Sequence, residues 1–213
     1  IPGPALRDEP HAVAFLTTEH FNLQTARSAT IAESTGRTTV FLSAVSAGLV
    51  AIAFAGQTSR TALYTFGLVL FPVLSFLGVA TFGRVLQASI EDTHLLLRID
   101  RIRRCYLEAA PVLAPHLAPP APTDDLAEVL RADGFRPSRW QLMLSLAGAL
   151  GVVNSVLLGV TTGLATAALT GDELWAATPV GLLTVAVAVP LHQRFQQDRR
   201  RRAHRDSGLF ADA

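Results

Sequence analysis

Four long apolar runs constrain this chain more than any other feature. They extend from Thr38 to about Ala55, from Thr61 to Phe82, from Trp140 to about Leu169 and from Leu174 to Leu191, and none carries a charged residue or histidine in its middle. A helix rises about 1.5 Å per residue and the hydrocarbon core of a bilayer is about 30 Å thick, so roughly 20 apolar residues suffice to cross it. The third run is long enough to tilt or to extend past the lipid. Half of the 213 residues are hydrophobic and only 16% are charged, which excludes a disordered, solvated chain. Cys105 is the single cysteine, which excludes a disulfide scaffold. The expected fold class is all-α: a polytopic membrane protein with four transmembrane helices in two hairpins.

Arginine placement sets an expected orientation. The 18 basic residues are all arginine, almost balanced by 17 acids. Arg27 and Arg37 precede the first run, eight arginines from Arg84 to Arg139 lie between the second and third, and Arg194, Arg199–Arg202 and Arg205 follow the fourth. The short loops hold only Arg60 on one side and Asp172 with Glu173 on the other. Basic segments stay on the cytoplasmic side, so both termini and the central connection are expected there. Trp140 and Trp175 open their runs at opposite interfaces, where an amphipathic indole is stable. About 37 fairly polar residues precede the first run, so insertion is expected to be directed by the spans rather than by a signal peptide. The expected location is a membrane crossed four times, with both termini on its cytoplasmic side.

Beyond the second run the chain stays helical in character. No Pro or Gly occurs from Arg84 to Glu108, and Leu95, Ile99, Ile102 and Tyr106 recur at helical spacing, with Leu86 and Ile90 opening the same stripe. Asp100 and Arg104, four apart, are expected to pair along the exposed side. Residues 1–37 are read as a cytoplasmic segment, helical from about residue 18 after capping by Thr17 or Thr18, with Gly36 as a weak point. Phe21, Leu23, Ala26, Ala29 and Ile31 supply its apolar content. Two arrangements fit: an antiparallel cytoplasmic stalk formed with residues 83–110, or an amphipathic helix on the membrane surface. Residues 111–139 read as a stiff Pro-rich linker, with a short helix from Thr123-Asp124-Asp125 to Gly134. Residues 140–191 form the second hairpin and 192–213 an Arg-rich tail.

Inside lipid, hydrophobic burial does not draw helices together; close packing and interhelical hydrogen bonds do. The third run carries Ala147, Gly151, Ser155, Gly159, Gly163 and Ala167, and the first carries Ser43, Ala47, Ala51 and Ala55, all four apart. Such ridges admit close backbone approach, either within one bundle or between protomers. Asn154 is an amide in the third run, expected to bond a neighbouring helix or, with Thr161 and Thr162, to line a polar path. Pro72 and Pro190 are positioned to kink their spans.

Chemistry is sparse. Pumps and voltage sensors place ionisable groups within their spans, and these four runs have none. Glu91-x-x-His94 has the spacing of half a di-metal site but lacks a second copy, and His192 is read as interfacial. No phosphate loop, nucleophile elbow or paired catalytic acid is present, so neither an enzyme nor a cofactor is expected. Arg194, Arg199, Arg200, Arg201 and Arg202 are assigned to anionic lipid headgroups rather than nucleic acid, because they would sit just inside the bilayer.

The stretch Glu19-His20-Phe21-Asn22-Leu23-Gln24 through Arg27 and Glu33, followed by Glu91-Asp92 and Arg101-Ile102-Arg103-Arg104-Cys105-Tyr106-Leu107-Glu108, resembles a group of uncharacterised actinobacterial multi-span membrane proteins. The resemblance covers most of the first 110 residues and implies no activity or site. More distantly, two spans followed by a cytoplasmic helix is similar in architecture to the two-span effector modules of bacterial defence systems. Two functional expectations stand side by side. One is a homo-oligomeric pore with the stalk as assembly or sensing element. The other is a non-conducting scaffold or accessory subunit whose stalk binds a cytoplasmic protein partner.

Overall fold

The computed structural model describes residues 10–116, 143–171 and 174–209, and among them it is helical almost throughout, with no strand. Helix α1 spans Pro10–Thr58, α2 Arg60–Ala109, α3 Leu146–Thr170 and α4 Leu174–Leu209, with a short 3-10 turn at Pro111–Leu113. All four helices are long and apolar enough to cross a membrane. The start of the third run at Trp140, the linker beyond His116 with the short helix expected there, and Asp172 and Glu173 lie outside the described residues.

The helix boundaries have identifiable local causes. Only Ser59 separates α1 from α2, and its hydroxyl accepts the Ala62 N–H at 3.0 Å, capping the new helix. Ser145, in extended geometry, caps α3 by accepting the Gly148 N–H at 3.2 Å. Gly171 ends α3 in the left-handed region (φ 72°), with its N–H donated to the Ala167 carbonyl. That conformation strains any residue with a Cβ, so glycine is the natural stop.

The described residues divide into two compact units, and α1 and α2 contribute to both. The first unit holds residues 10–33 and 88–116, with the end of α4 from residue 204. Its core is small: Leu23 against Leu95, Ile99 and Ile102, with Leu16 and Tyr106 packed on it. On α1 Leu23 is buried and Ala12, Val13, Leu16, His20, Arg27 and Thr30 are half-buried; from Leu16 onward these positions alternate by four and three, as in two long helices packed side by side. This corrects the apolar reading of the segment, because Phe21 and Ile31 are exposed (66% and 50%) while polar residues fill part of the seam. The helix also begins at Pro10, not near Thr18; the Thr17 and Thr18 hydroxyls donate back to the Val13 and Ala14 carbonyls instead of capping. Nor does Gly36 interrupt it.

Arg27 and Asp92 join α1 to α2 through a 2.8 Å ion pair. Asp100 departs from expectation. It is buried (4% exposed), its carboxylate 4.0 Å from both Arg103 and Arg104, so the pairing is not a surface one.

The second unit holds residues 34–87 and 143–203. Its core is Phe41 and Val45 from α1, Phe71, Leu74, Phe82 and Val85 from α2, Leu150 and Leu157 from α3, and Ala177 and Ala188 from α4. Gly48 meets Leu70 and Leu74, and Gly67 meets Ile52, a pairing in which α1 and α2 run in opposite directions. The outward faces are apolar: Val50, Phe54, Val69, Phe76 and Leu182 are each more than half exposed. A water-facing bundle would bury such residues; a hydrocarbon-facing one presents them.

Candidate functional site

Polar groups inside the second unit gather at one place. On α3, Asn154 and Ser155 are wholly enclosed, and on α4 Gln196 is 1% exposed. Between them stands His192, half-buried. Its Nδ1 lies 2.9 Å from the Ala188 carbonyl and 3.2 Å from Ser155 Oγ, while its Nε2 lies 3.4 Å from Asn154 Nδ2. Ser155 Oγ donates to the Gly151 carbonyl at 2.7 Å. Phe82 of α2 meets the imidazole edge-on, with ring centroids 5.2 Å apart. One turn further along α4, Gln196 donates to Ser145 Oγ at 3.2 Å, tying α4 to the cap of α3.

The neighbours fix the imidazole's protonation pattern. A backbone carbonyl only accepts, so Nδ1 carries the proton and donates to Ala188. Ser155 has given its own hydrogen to Gly151, so its oxygen can share the Nδ1–H. Nε2 is then a bare acceptor and takes an Asn154 N–H. Asn154 Oδ1 is buried with no hydrogen-bond partner among the described residues, turned toward α2 at Gly78, where an added Cβ would overlap it.

This arrangement was only partly legible. Asn154 and Ser155 stood out as polar residues within an apolar run, whereas His192 falls one residue beyond the fourth run and reads as interfacial. The helix continues through it to Leu209. Four-residue periodicity from Ala188 to His192 to Gln196 was the signal available.

The small residues of α3 lie inside the unit. Ala147, Gly151, Ser155, Gly159 and Ala167 are buried and Gly163 half-buried. The α3–α4 crossing is glycine against glycine: a Cβ at Gly159 would come within 2.8 Å of the Gly181 carbonyl, and one at Gly181 within 2.9 Å of the Gly159 carbonyl. Thr162 Oγ1 donates to Thr184 Oγ1 at 2.9 Å beside it, and Thr161 donates to its own helix at Leu157. The α1 ridge differs, with Ser43 and Ala47 exposed and Ala51 and Ala55 half-exposed. An open apolar groove of about 560 Å³ lies along the α3–α4 crossing, lined by Leu63, Tyr64, Val160, Leu164, Ala177 and Leu182 among others.

The remaining residues singled out from sequence scatter. Leu95, Ile99 and Ile102 are buried against Leu23, with Tyr106 half-buried. Glu91 is exposed and His94 half-buried, and among the described residues no three His, Cys, Asp or Glu side chains converge. Arg194, Arg199, Arg201 and Arg202 are exposed, Arg200 is half-buried, and the Arg199 guanidinium lies 5.3 Å from the Phe195 ring centroid. No family model, curated protein or solved structure matches the chain.

Proposed function

We propose that this chain is a homo-oligomeric integral membrane protein acting as a non-conducting scaffold, with both termini and the first unit in the cytoplasm. The carrying observation is the contrast between two small-residue ridges. That of α3 is consumed inside the second unit, while Ser43 and Ala47 of α1 face outward among exposed Val40 and Val50. Small residues that admit close backbone approach and, among the described residues, are left exposed at Ser43 and Ala47 are suited to the same ridge of a second copy. The arginine distribution supports the orientation, and the exposed arginines near the end of α4 are suited to anionic headgroups, each worth about 1 kcal/mol close to the surface. In the cytoplasm, exposed Phe15 and Phe21 offer a protein partner an apolar foothold (75% and 66% exposed). The likeness to actinobacterial multi-span proteins is consistent with a bacterial plasma membrane.

A second reading, a pore, is favoured by exposed Thr39, Ser43 and Ser46 on α1, which would place hydroxyls between copies. Such a path would run between protomers, because Asn154 and Ser155 are sealed within each chain.

The deciding experiment is native mass spectrometry of nanodisc-embedded protein alongside ion flux in liposomes. Scaffold function predicts one defined oligomer, weakened by Ala47→Leu, and no flux. A monomer refutes both readings, and flux abolished by Ser43→Leu selects the pore.

A further inference from the structure

We infer that His192 and Asn154 form a proton-binding site inside the second unit, with the Asn154 amide as the element that answers the proton. In the neutral state Nδ1–H is held by the Ala188 carbonyl at 2.9 Å, so the lone pair of Nε2 is the position open to a proton. A proton from water adds there; the ring passes from neutral to singly positive, and no bond in the protein breaks. The new Nε2–H then points at Asn154 Nδ2, which is 3.4 Å away and cannot accept. The same amide carries the acceptor that the proton requires. Oδ1 is fully buried, without a partner among the described residues, and a half-turn of the amide about its Cβ–Cγ bond exchanges Oδ1 for Nδ2 opposite the ring. The displaced NH₂ then lies against α2 at Gly78, where the absence of a side chain leaves the helix backbone bare.

The surroundings leave Asn154 as the responding group. Helix α2 presents Phe82 edge-on, and α3 presents Gly151, Asn154 and Ser155. No ionisable residue occurs in α3. On α4 the nearest charged side chains, Arg194, Asp198 and Arg199, are exposed, and so are Arg37 of α1 and Arg84 of α2. His192 forms no ion pair among the described residues. Among the described residues the imidazolium is therefore stabilised by dipoles: the Ala188 carbonyl, Ser155 Oγ and the turned Asn154 carbonyl. Because the amide also touches α2, proton uptake alters the contact among α2, α3 and α4.

The test uses ¹⁵N-labelled full-length protein in phosphatidylcholine nanodiscs, with His192 assigned by comparison with His192→Gln. Imidazole nitrogen shifts and the Asn154 side-chain NH₂ resonances are followed from about pH 8 to pH 4, the range in which histidine titrates. The expected result is uptake of one proton at Nε2, with the Asn154 NH₂ resonances moving at the same midpoint. Asn154→Leu removes the acceptor and lowers the midpoint by one unit or more, about tenfold weaker proton binding. Asn154→Asp supplies a carboxylate and raises it by a similar amount, and shifts of opposite sign cannot arise from unfolding. Equal midpoints in the three proteins, Asn154 resonances that stay fixed while His192 titrates, or a ring still neutral at pH 4 would each overturn the site.

Discussion

Replacing Gly159 by alanine probes the α3–α4 crossing most directly. The added Cβ would lie 2.8 Å from the Gly181 carbonyl oxygen and would also overlap Val185. That is roughly half an ångström inside ordinary contact, and backbone at a close-packed crossing cannot yield as a flexible side chain can. Overpacking of this kind costs about 1–3 kcal/mol. Alanine returns about 1 kcal/mol of helix propensity relative to glycine, so the net is a loss of up to about 2 kcal/mol. Gly36→Ala provides the internal reference. A Cβ there meets nothing within 4 Å, so the propensity gain stands alone and the protein should be stabilised by about 0.5–1 kcal/mol. Reversible unfolding in mixed micelles, followed by circular dichroism against SDS fraction, measures both. The reasoning fails if Gly159→Ala proves as stable as Gly36→Ala, because the helices would then not meet at Gly159 and Gly181.

Three further outcomes are expected. A double-mutant cycle on Arg27→Ala and Asp92→Ala should give a coupling of no more than about 1 kcal/mol, because both side chains of this 2.8 Å pair retain solvent contact. Leu23→Ala should destabilise the first unit by about 2–4 kcal/mol, seen as faster amide exchange along residues 95–106, whereas Phe21→Ser, exposed on the same helix, should stay within about 0.5 kcal/mol. Ser145→Ala removes both the cap of α3 and the acceptor for Gln196, and should lower stability by about 1–2 kcal/mol in the same micelle assay.

Partner searches in the first unit need a corresponding choice of residues. Aspartate at Ile99 or Ile102 would strike buried positions packed on Leu23 and unfold the pair of helices themselves. Substitutions at exposed Phe15 and Phe21 leave that core intact and report on a partner alone.

Sequence by itself determined the helical class, the number of apolar segments and their charge-free middles, because these follow from composition and local backbone preference. Runs of small residues four apart likewise announced where backbones are able to approach closely. It left the assignment of faces open, since periodicity marks a stripe without naming what meets it. Tertiary packing decided that the α3 ridge is spent against Gly181 while Ser43 and Ala47 are not covered. Packing also turned Phe21 outward and His20 and Arg27 inward, because two long helices meet along whichever seam their full lengths share rather than along the most apolar residues of one. Asp100 and His192 show the same effect on single groups. Each reads as a surface residue from its neighbours in sequence, and each is enclosed, wholly or in part, by residues that folding brings from elsewhere in the chain or from the next turn of its helix.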